Sequence, residues 1–163
     1  KTLQMTLEND RVSAVTVDMG KPVLSPALEI TVKGKSYTVN PVSMGNPHAV
    51  VFLPDIDKLD LEELGPHFEC HPMFPNRTNT EFVEILDRTH LRMRVWEGGS
   101  GETLACGTGA CAVLAVTASL GLCEREAVVH LRGGDLRICW AEGDGHIDMT
   151  GPARIVFEGE LMI

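Results

Sequence analysis

Thr108-Gly109-Ala110-Cys111-Ala112-Val113-Leu114-Ala115-Val116-Thr117-Ala118-Ser119-Leu120 is the stretch on which the fold turns. Every face of the helix it would form is small or apolar, and Gly121 follows as a C-cap. A span of about thirteen residues is too short for the roughly 20 that cross a bilayer, so this pattern predicts a helix buried inside a globular unit. Strands should wrap it. β-Branched or alternating runs occur at Lys1 to Leu7, Val12 to Met19, His48 to Phe52, Glu81 to Leu86, Leu91 to Trp96, Leu136 to Trp140 and His146 to Met149. Ile155 to Ile163 reads as a last strand, and Glu29 to Val32 with Ser36 to Val39 bracket the turn Lys33-Gly34-Lys35 as a hairpin. A second helix should start at the N-cap Asp60, with Glu62 and Glu63 in its first turn, and Gly65-Pro66 should break or re-start it. The expected class is α+β, a curved, mostly antiparallel sheet around a central helix in one domain covering 1–163.

The net charge of −9 and the confinement of lysine to positions from Lys1 to Lys58 leave no basic face for phosphates, which argues against nucleic acid and anionic membrane as partners. No signal-peptide pattern is present, and a cytoplasmic location is expected. The five cysteines form an odd, scattered set without the C-x₂₋₄-C spacing of a zinc site, so reduced thiols and no metal are expected. Lys1 to Leu7 begins as a strand already in progress with no initiator Met, the expectation for a piece of a longer protein.

The chemistry concentrates in Glu97-Gly98-Gly99-Ser100-Gly101-Glu102-Thr103-Leu104-Ala105-Cys106-Gly107-Thr108-Gly109, a strand running through a glycine-rich loop into the buried helix. Glycines let backbone amides approach a ligand, and the orphan N–H groups of a helix's first turn favour a carboxylate at Gly107 to Gly109. Cys106 stands at the same helix start, where the positive end of the dipole should lower its pKa from about 8.5. Cys70, Cys111, Cys123 and Cys139 read as small buried hydrophobes, as most free cysteines are. Asn46 and His48 lie where one strand begins, and Asn79 where another does. Each asparagine alone is more often a turn former than a ligand.

Taken together, Gly45-Asn46-Pro47-His48, Phe74-Pro75 with Thr78-Asn79, Glu97 with Gly101-Glu102-Thr103-Leu104-Ala105-Cys106-Gly107-Thr108-Gly109-Ala110, and Gly133-Gly134 and Gly151-Pro152-Ala153 closely resemble the diaminopimelate epimerase family over nearly the whole chain. That family has two related lobes, each a sheet around a central helix, and works without pyridoxal phosphate, so no cofactor is expected. The resemblance implies an isomerase in lysine and cell-wall precursor synthesis, in a bacterium or a plastid, whose two cysteines remove and deliver the α-proton of LL-diaminopimelate. It would make Cys106 one acid/base, with His48 and Glu97 tuning the thiol pair. The N–H groups of Gly107 and Thr108 would hold the α-carboxylate, and Asn46, Asn79 and the Glu97-Gly98 corner the distal end of the substrate. No lysine follows Lys58, which weakens a Schiff-base mechanism.

Two departures stand out. No second cysteine segment like Cys-Gly-Asn-Gly is present, so the chain should be a C-terminal lobe that is inactive alone and needs an N-terminal lobe as partner. Gly98 occupies the place where the family has an arginine for the distal carboxylate. The strand at 155–163 would belong against the N-terminal lobe, and without that lobe its edge should pair two copies into a homodimer. The alternatives are a proline racemase-like isomerase of the same fold, a cysteine-nucleophile hydrolase pairing Cys106 with His48 or His71, and a non-catalytic binding fragment.

Overall fold

In the computed structural model, which describes residues 2–162, the buried stretch forms α2 (Gly107–Ser119) with every residue from Gly109 to Thr117 out of solvent. Cys106 is its N-cap in an extended conformation, φ −137° and ψ 108°. At the other end Gly121, at φ +71°, sends its N–H to Ala118 O and Leu122 its N–H to Thr117 O, the pair of bonds that closes a Schellman cap. Alanine and glycine line α2 because strands of the sheet pack closely against it, and larger side chains would hold them off.

Those strands belong to one sheet. β1 (Leu3–Glu8) pairs with β2 (Arg11–Gly20), followed in space by β12 (Ile147–Pro152), β11 (Gly134–Trp140), β10 (Glu126–Leu131), β8 (His90–Glu97), β7 (Asn79–Ile85), β6 (Pro47–Phe52), β5 (Lys35–Ser43) and β3 (Val23–Leu24). β4 (Leu28–Val32) also pairs with β5, and β9 (Gly101–Thr103) with β8. Pairing is antiparallel except for β6 with β7 and β8 with β10. A parallel pair needs a crossover. α1 (Leu61–Glu69) supplies the first and α2 the second.

The crossovers lie on opposite faces. Val50, Val83, Leu91, Met93, Val95, Val129 and Ile138 pack with α2, while Val39, Ala49, Val51, Phe82 and Trp96 pack with Leu61 and Phe68 of α1. Alternation along β6, β7 and β8 thus feeds two cores from one set of strands. β1 is exposed along its length, with Leu3, Met5 and Leu7 more than half accessible.

Three expectations are corrected. The hairpin turn is the two-residue Lys33-Gly34, both at positive φ, with Lys35 already paired, because a turn of that hand matches the strand twist. Gly65-Pro66 does not break α1: proline removes one N–H, and the carbonyl it would have served belongs to Glu62, which is open to solvent. Gly65 is there for another reason, since a Cβ would lie 2.1 Å from Trp96 Cδ2. Finally, residues 153–162 carry no regular secondary structure and Ile155, Val156, Phe157, Leu161 and Met162 are exposed, so the expected last strand is not formed. Strand conformation needs a neighbour for its backbone groups, and beyond the Ala153 N–H to Ser13 O bond the described residues offer this segment none. Lys1 and Ile163, the outer ends of the first and last expected strands, lie outside the described residues.

Candidate functional site

Strand pairing brings the separated motifs to the start of α2. His48 pairs opposite Asn79, Val50 opposite Glu81, and Glu81 opposite Val95, so period-two alternation puts His48, Asn79, Glu81 and Glu97 on the α2 side of the sheet. Cys106 is 7% exposed. Its sulfur accepts the Gly109 N–H at 3.4 Å and lies 3.6 Å from Thr108 Oγ1. Asn46 Nδ2 donates to Thr108 Oγ1 at 3.4 Å, and Asn46 Oδ1 is 3.1 Å from His48 Nε2. His48 Nδ1 lies 2.6 Å from Glu81 Oε1, with both side chains fully buried. Glu97 accepts from the Thr103 hydroxyl.

Close approach constrains Gly109 most, since Glu81 is buried and bonded to His48, and Gly107 less, because the tip of Met149 can move. A Cβ on Gly107 would stand 2.9 Å from Met149 Sδ of β12, and one on Gly109 2.8 Å from Glu81 Oε1 and 3.2 Å from Cys106 Sγ. Among the described residues nothing accepts from the N–H groups of Gly107 and Thr108, so α2 presents an anion cradle beside the sulfur.

The thiol itself is not activated as expected from its place at a helix start. Burial pushes the Cys106 pKa up to about 11, the hydrogen bonds from Thr108 and Gly109 pull it down by less, and the charges of Glu81 and Glu97 raise it again. Desolvation of an anion outweighs a helix end when two carboxylates sit nearby. The balance of these effects favours the thiol over the thiolate.

Asn46, Arg77, Asn79 and Gly98 border a recess of about 310 Å³ next to this cradle. Gly98 donates its N–H to Asn79 Oδ1 at 2.9 Å. Behind the recess Glu69 accepts from Trp96 Nε1 at 2.8 Å, Arg77 Nη1 at 2.9 Å and Gly99 N–H at 3.1 Å. Those bonds, Trp96's foremost, hold its carboxyl below the usual carboxylate range despite burial. A larger open groove, about 1000 Å³, runs along the β1-β2 turn, β11 and β12, and none of the residues above lines it.

Residues 41–156 match the family model described as diaminopimelate epimerase. The chain belongs to the diaminopimelate epimerase family. Diaminopimelate epimerases from Methanococcus maripaludis and Acetivibrio thermocellus are 52% and 50% identical over 100% and 99% of the chain. The chain spans 64% and 62% of their lengths. A chloroplastic diaminopimelate epimerase of Oryza sativa is 50% identical over 96% of the chain, which covers 50% of it. Among solved structures, a PhzF-family phenazine biosynthesis protein of Bacillus anthracis aligns with TM-score 0.69 at 17% identity, over 99% of this chain and 64% of that one. A hydroxyproline epimerase of Agrobacterium vitis gives 0.68 at 15%, over 91% and 52%. At such identities the likeness is one of fold, and it places the sheet and helices of this chain in the α+β architecture of these neighbours.

Every site residue named from the sequence, Asn46, His48, Asn79, Glu97, Gly98, Cys106, Gly107 and Thr108, falls at this end of the sheet. His71 does not: it accepts the Met73 N–H, packs on Phe74 and shares a recess with Cys70 and Lys33. All five cysteines are thiols, and the described residues contain no cluster of three or more potential metal ligands. Sequence reasoning missed Glu81, Glu69 and Arg77. Glu81 left one signal, a carboxylate sharing the inward phase of an apolar strand with Val83 and Ile85. No helix among the described residues is long and apolar enough to cross a membrane.

Proposed function

We propose that this chain contributes one acid/base, Cys106, to a cofactor-independent, two-thiol inversion of LL-diaminopimelate to the meso form, in the route to lysine and cell-wall precursors, with the second thiol supplied by an N-terminal lobe. The observation that carries the reading is the coincidence of the Cys106 sulfur with the open N–H groups of Gly107 and Thr108. An α-carboxylate seated on those donors brings its own Cα within reach of the sulfur, and the same donors offset charge that develops when the α-proton leaves. Held as a thiol, Cys106 is set to give its proton to the α-carbanion on one face while the other lobe's thiolate takes the original proton on the opposite face. The thiolate left behind serves the reverse reaction.

In this reading Asn46 and Asn79 meet the distal amino-acid end, and His48 and Glu97 tune the acid/base pair. Gly98 brings no side chain to the distal recess, and Arg77 is the cation bordering it. The span of 62–64% of the relatives' length fits the need for a second lobe. The exposed apolar residues from Ile155 to Met162 are read as a surface for that lobe or, without it, for a second copy. A cytoplasmic or, in a plant, plastid setting goes with the family. The hydrolase reading finds no support in the geometry, because His48 faces Glu81 and Asn46 and makes no hydrogen bond to Cys106.

The test is deuterium exchange at the α-carbon of LL-diaminopimelate in D₂O, with the chain alone and with a family N-terminal lobe added. Exchange and inversion are expected only with both lobes and not in Cys106→Ala. Turnover by the chain alone, or none by the pair, refutes the two-thiol reading, and exchange of proline in place of diaminopimelate establishes the racemase-like alternative.

A further inference from the structure

We propose that Glu81 is a positioning residue that anchors a hydrogen-bond chain, Glu81–His48–Asn46–Thr108–Cys106, and through its polarity decides whether one shared proton resides on His48 or on the Cys106 sulfur. Glu81 is fully buried, and its Oε2 has no hydrogen-bond partner among the described residues. An ion so placed is tolerable only against a positive partner, and the one group bonded to it is the His48 ring.

The chain has two self-consistent directions. With Glu81 as the anion and Asn46 Oδ1 facing Nε2, both ring nitrogens face acceptors, and this direction of the chain carries a proton on each. Asn46 Nδ2 then donates to Thr108 Oγ1, and the hydroxyl proton of Thr108 is left to point at Cys106, where it and the Gly109 N–H stabilise a thiolate. Rotating the Asn46 amide by a half-turn reverses the three bonds between His48 and Cys106 and leaves the Nδ1–H donated to Glu81: Nδ2 donates to a bare Nε2, Oδ1 accepts from Thr108, and Thr108 accepts from a thiol. Both directions hold the same number of protons. The proton lost by one group reaches the other through solvent or substrate, because an amide side chain orients but does not relay it.

The groups facing the sulfur are Glu97 from β8, Glu81 from β7 and the N–H groups of α2, and those facing His48 are Glu81 and Asn46. Glu81 therefore acts in two opposed ways. Across space its charge disfavours the thiolate; through the chain it holds the proton on His48 and favours the thiolate. The inference rests on the proposed acid/base role of Cys106 for its catalytic meaning, but its test needs no turnover, so either can fail without the other.

The test follows Cys106 ionisation in the intact chain by ultraviolet thiolate absorbance, taken as the difference from Cys106→Ser. Glu81→Gln is expected to raise the midpoint, whereas repulsion alone would lower it. Thr108→Val is expected to raise it by about one pH unit or more, the tenfold change that one hydrogen bond to a charged group carries, and to turn the rise caused by Glu81→Gln into the fall that repulsion alone gives. Thr108→Ser should leave both as in the parent. A midpoint that falls in Glu81→Gln alone, an unchanged midpoint in Thr108→Val, or a midpoint that Glu81→Gln still raises in the Thr108→Val background overturns the proposal. The two Thr108 variants leave the buried carboxylate in place and stay informative if Glu81→Gln does not fold.

Discussion

Gly65→Ala should unfold this protein far more easily than a glycine-to-alanine change in a helix normally does. The new Cβ would lie 2.1, 2.4 and 2.5 Å from Cδ2, Cγ and Cε3 of Trp96. Carbon atoms settle at about 3.5 to 4 Å, so the indole must retreat by about 1.5 Å. It cannot do so freely, because Trp96 is 7% exposed and donates to Glu69 at 2.8 Å. Overpacking costs about 1 to 3 kcal/mol, and weakening a hydrogen bond to a carboxylate about 1.5 to 3 kcal/mol. Helix propensity returns about 1 kcal/mol. The net loss is about 1.5 to 5 kcal/mol, or roughly 1 to 2.5 M in the urea midpoint at a slope of about 2 kcal/mol per M. Urea unfolding followed by tryptophan fluorescence measures this, with the slope unchanged. Because Glu69 also holds Gly99 and Arg77, the recess beside Gly98 should be disturbed as well. A variant as stable as its parent, or more stable, would show that the Trp96 contact does not fix α1 against the sheet.

Two further outcomes are expected. Burial holds the Cys106 and Cys123 thiols near 11 against an ordinary value of 9.0. Between those values the folded state keeps protons that the unfolded state has lost, so stability should be complete below pH 9 and fall as pH rises toward 11. Thermal unfolding across that range should show a decline that is smaller in Cys106→Ala once compared with its own neutral-pH stability, and an equal decline refutes the assignment to Cys106. For the exposed segment from Ile155 to Met162, sedimentation velocity should detect self-association that grows with concentration and disappears in Phe157→Glu, whereas a monomer at every concentration rules out pairing through this edge.

The sequence by itself determined what depends on neighbours in the chain. The apolar run at 109–118 had to be a buried helix because no polar face existed to meet water, and Cys106 had to begin it because glycines precede and follow. The Asp60 cap and the existence of a hairpin after Val32 were legible for the same local reason, since each is decided within a few residues, although the turn is the two-residue Lys33-Gly34 and not the three residues expected. The site motifs could be read as a set, but only tertiary structure decided what each touches. His48 meets Glu81 across 33 residues and Asn46 meets Thr108 across 62; the first contact depends on the parallel pairing of β6 with β7 and the second on the crossing of α2 between β8 and β10, and periodicity reveals neither. The charge state of Cys106 belongs to the same class. A helix start promises a stabilised thiolate, yet the cost of removing an anion from water depends on everything packed around it, and here burial and the two carboxylates of neighbouring strands settle the balance toward the thiol.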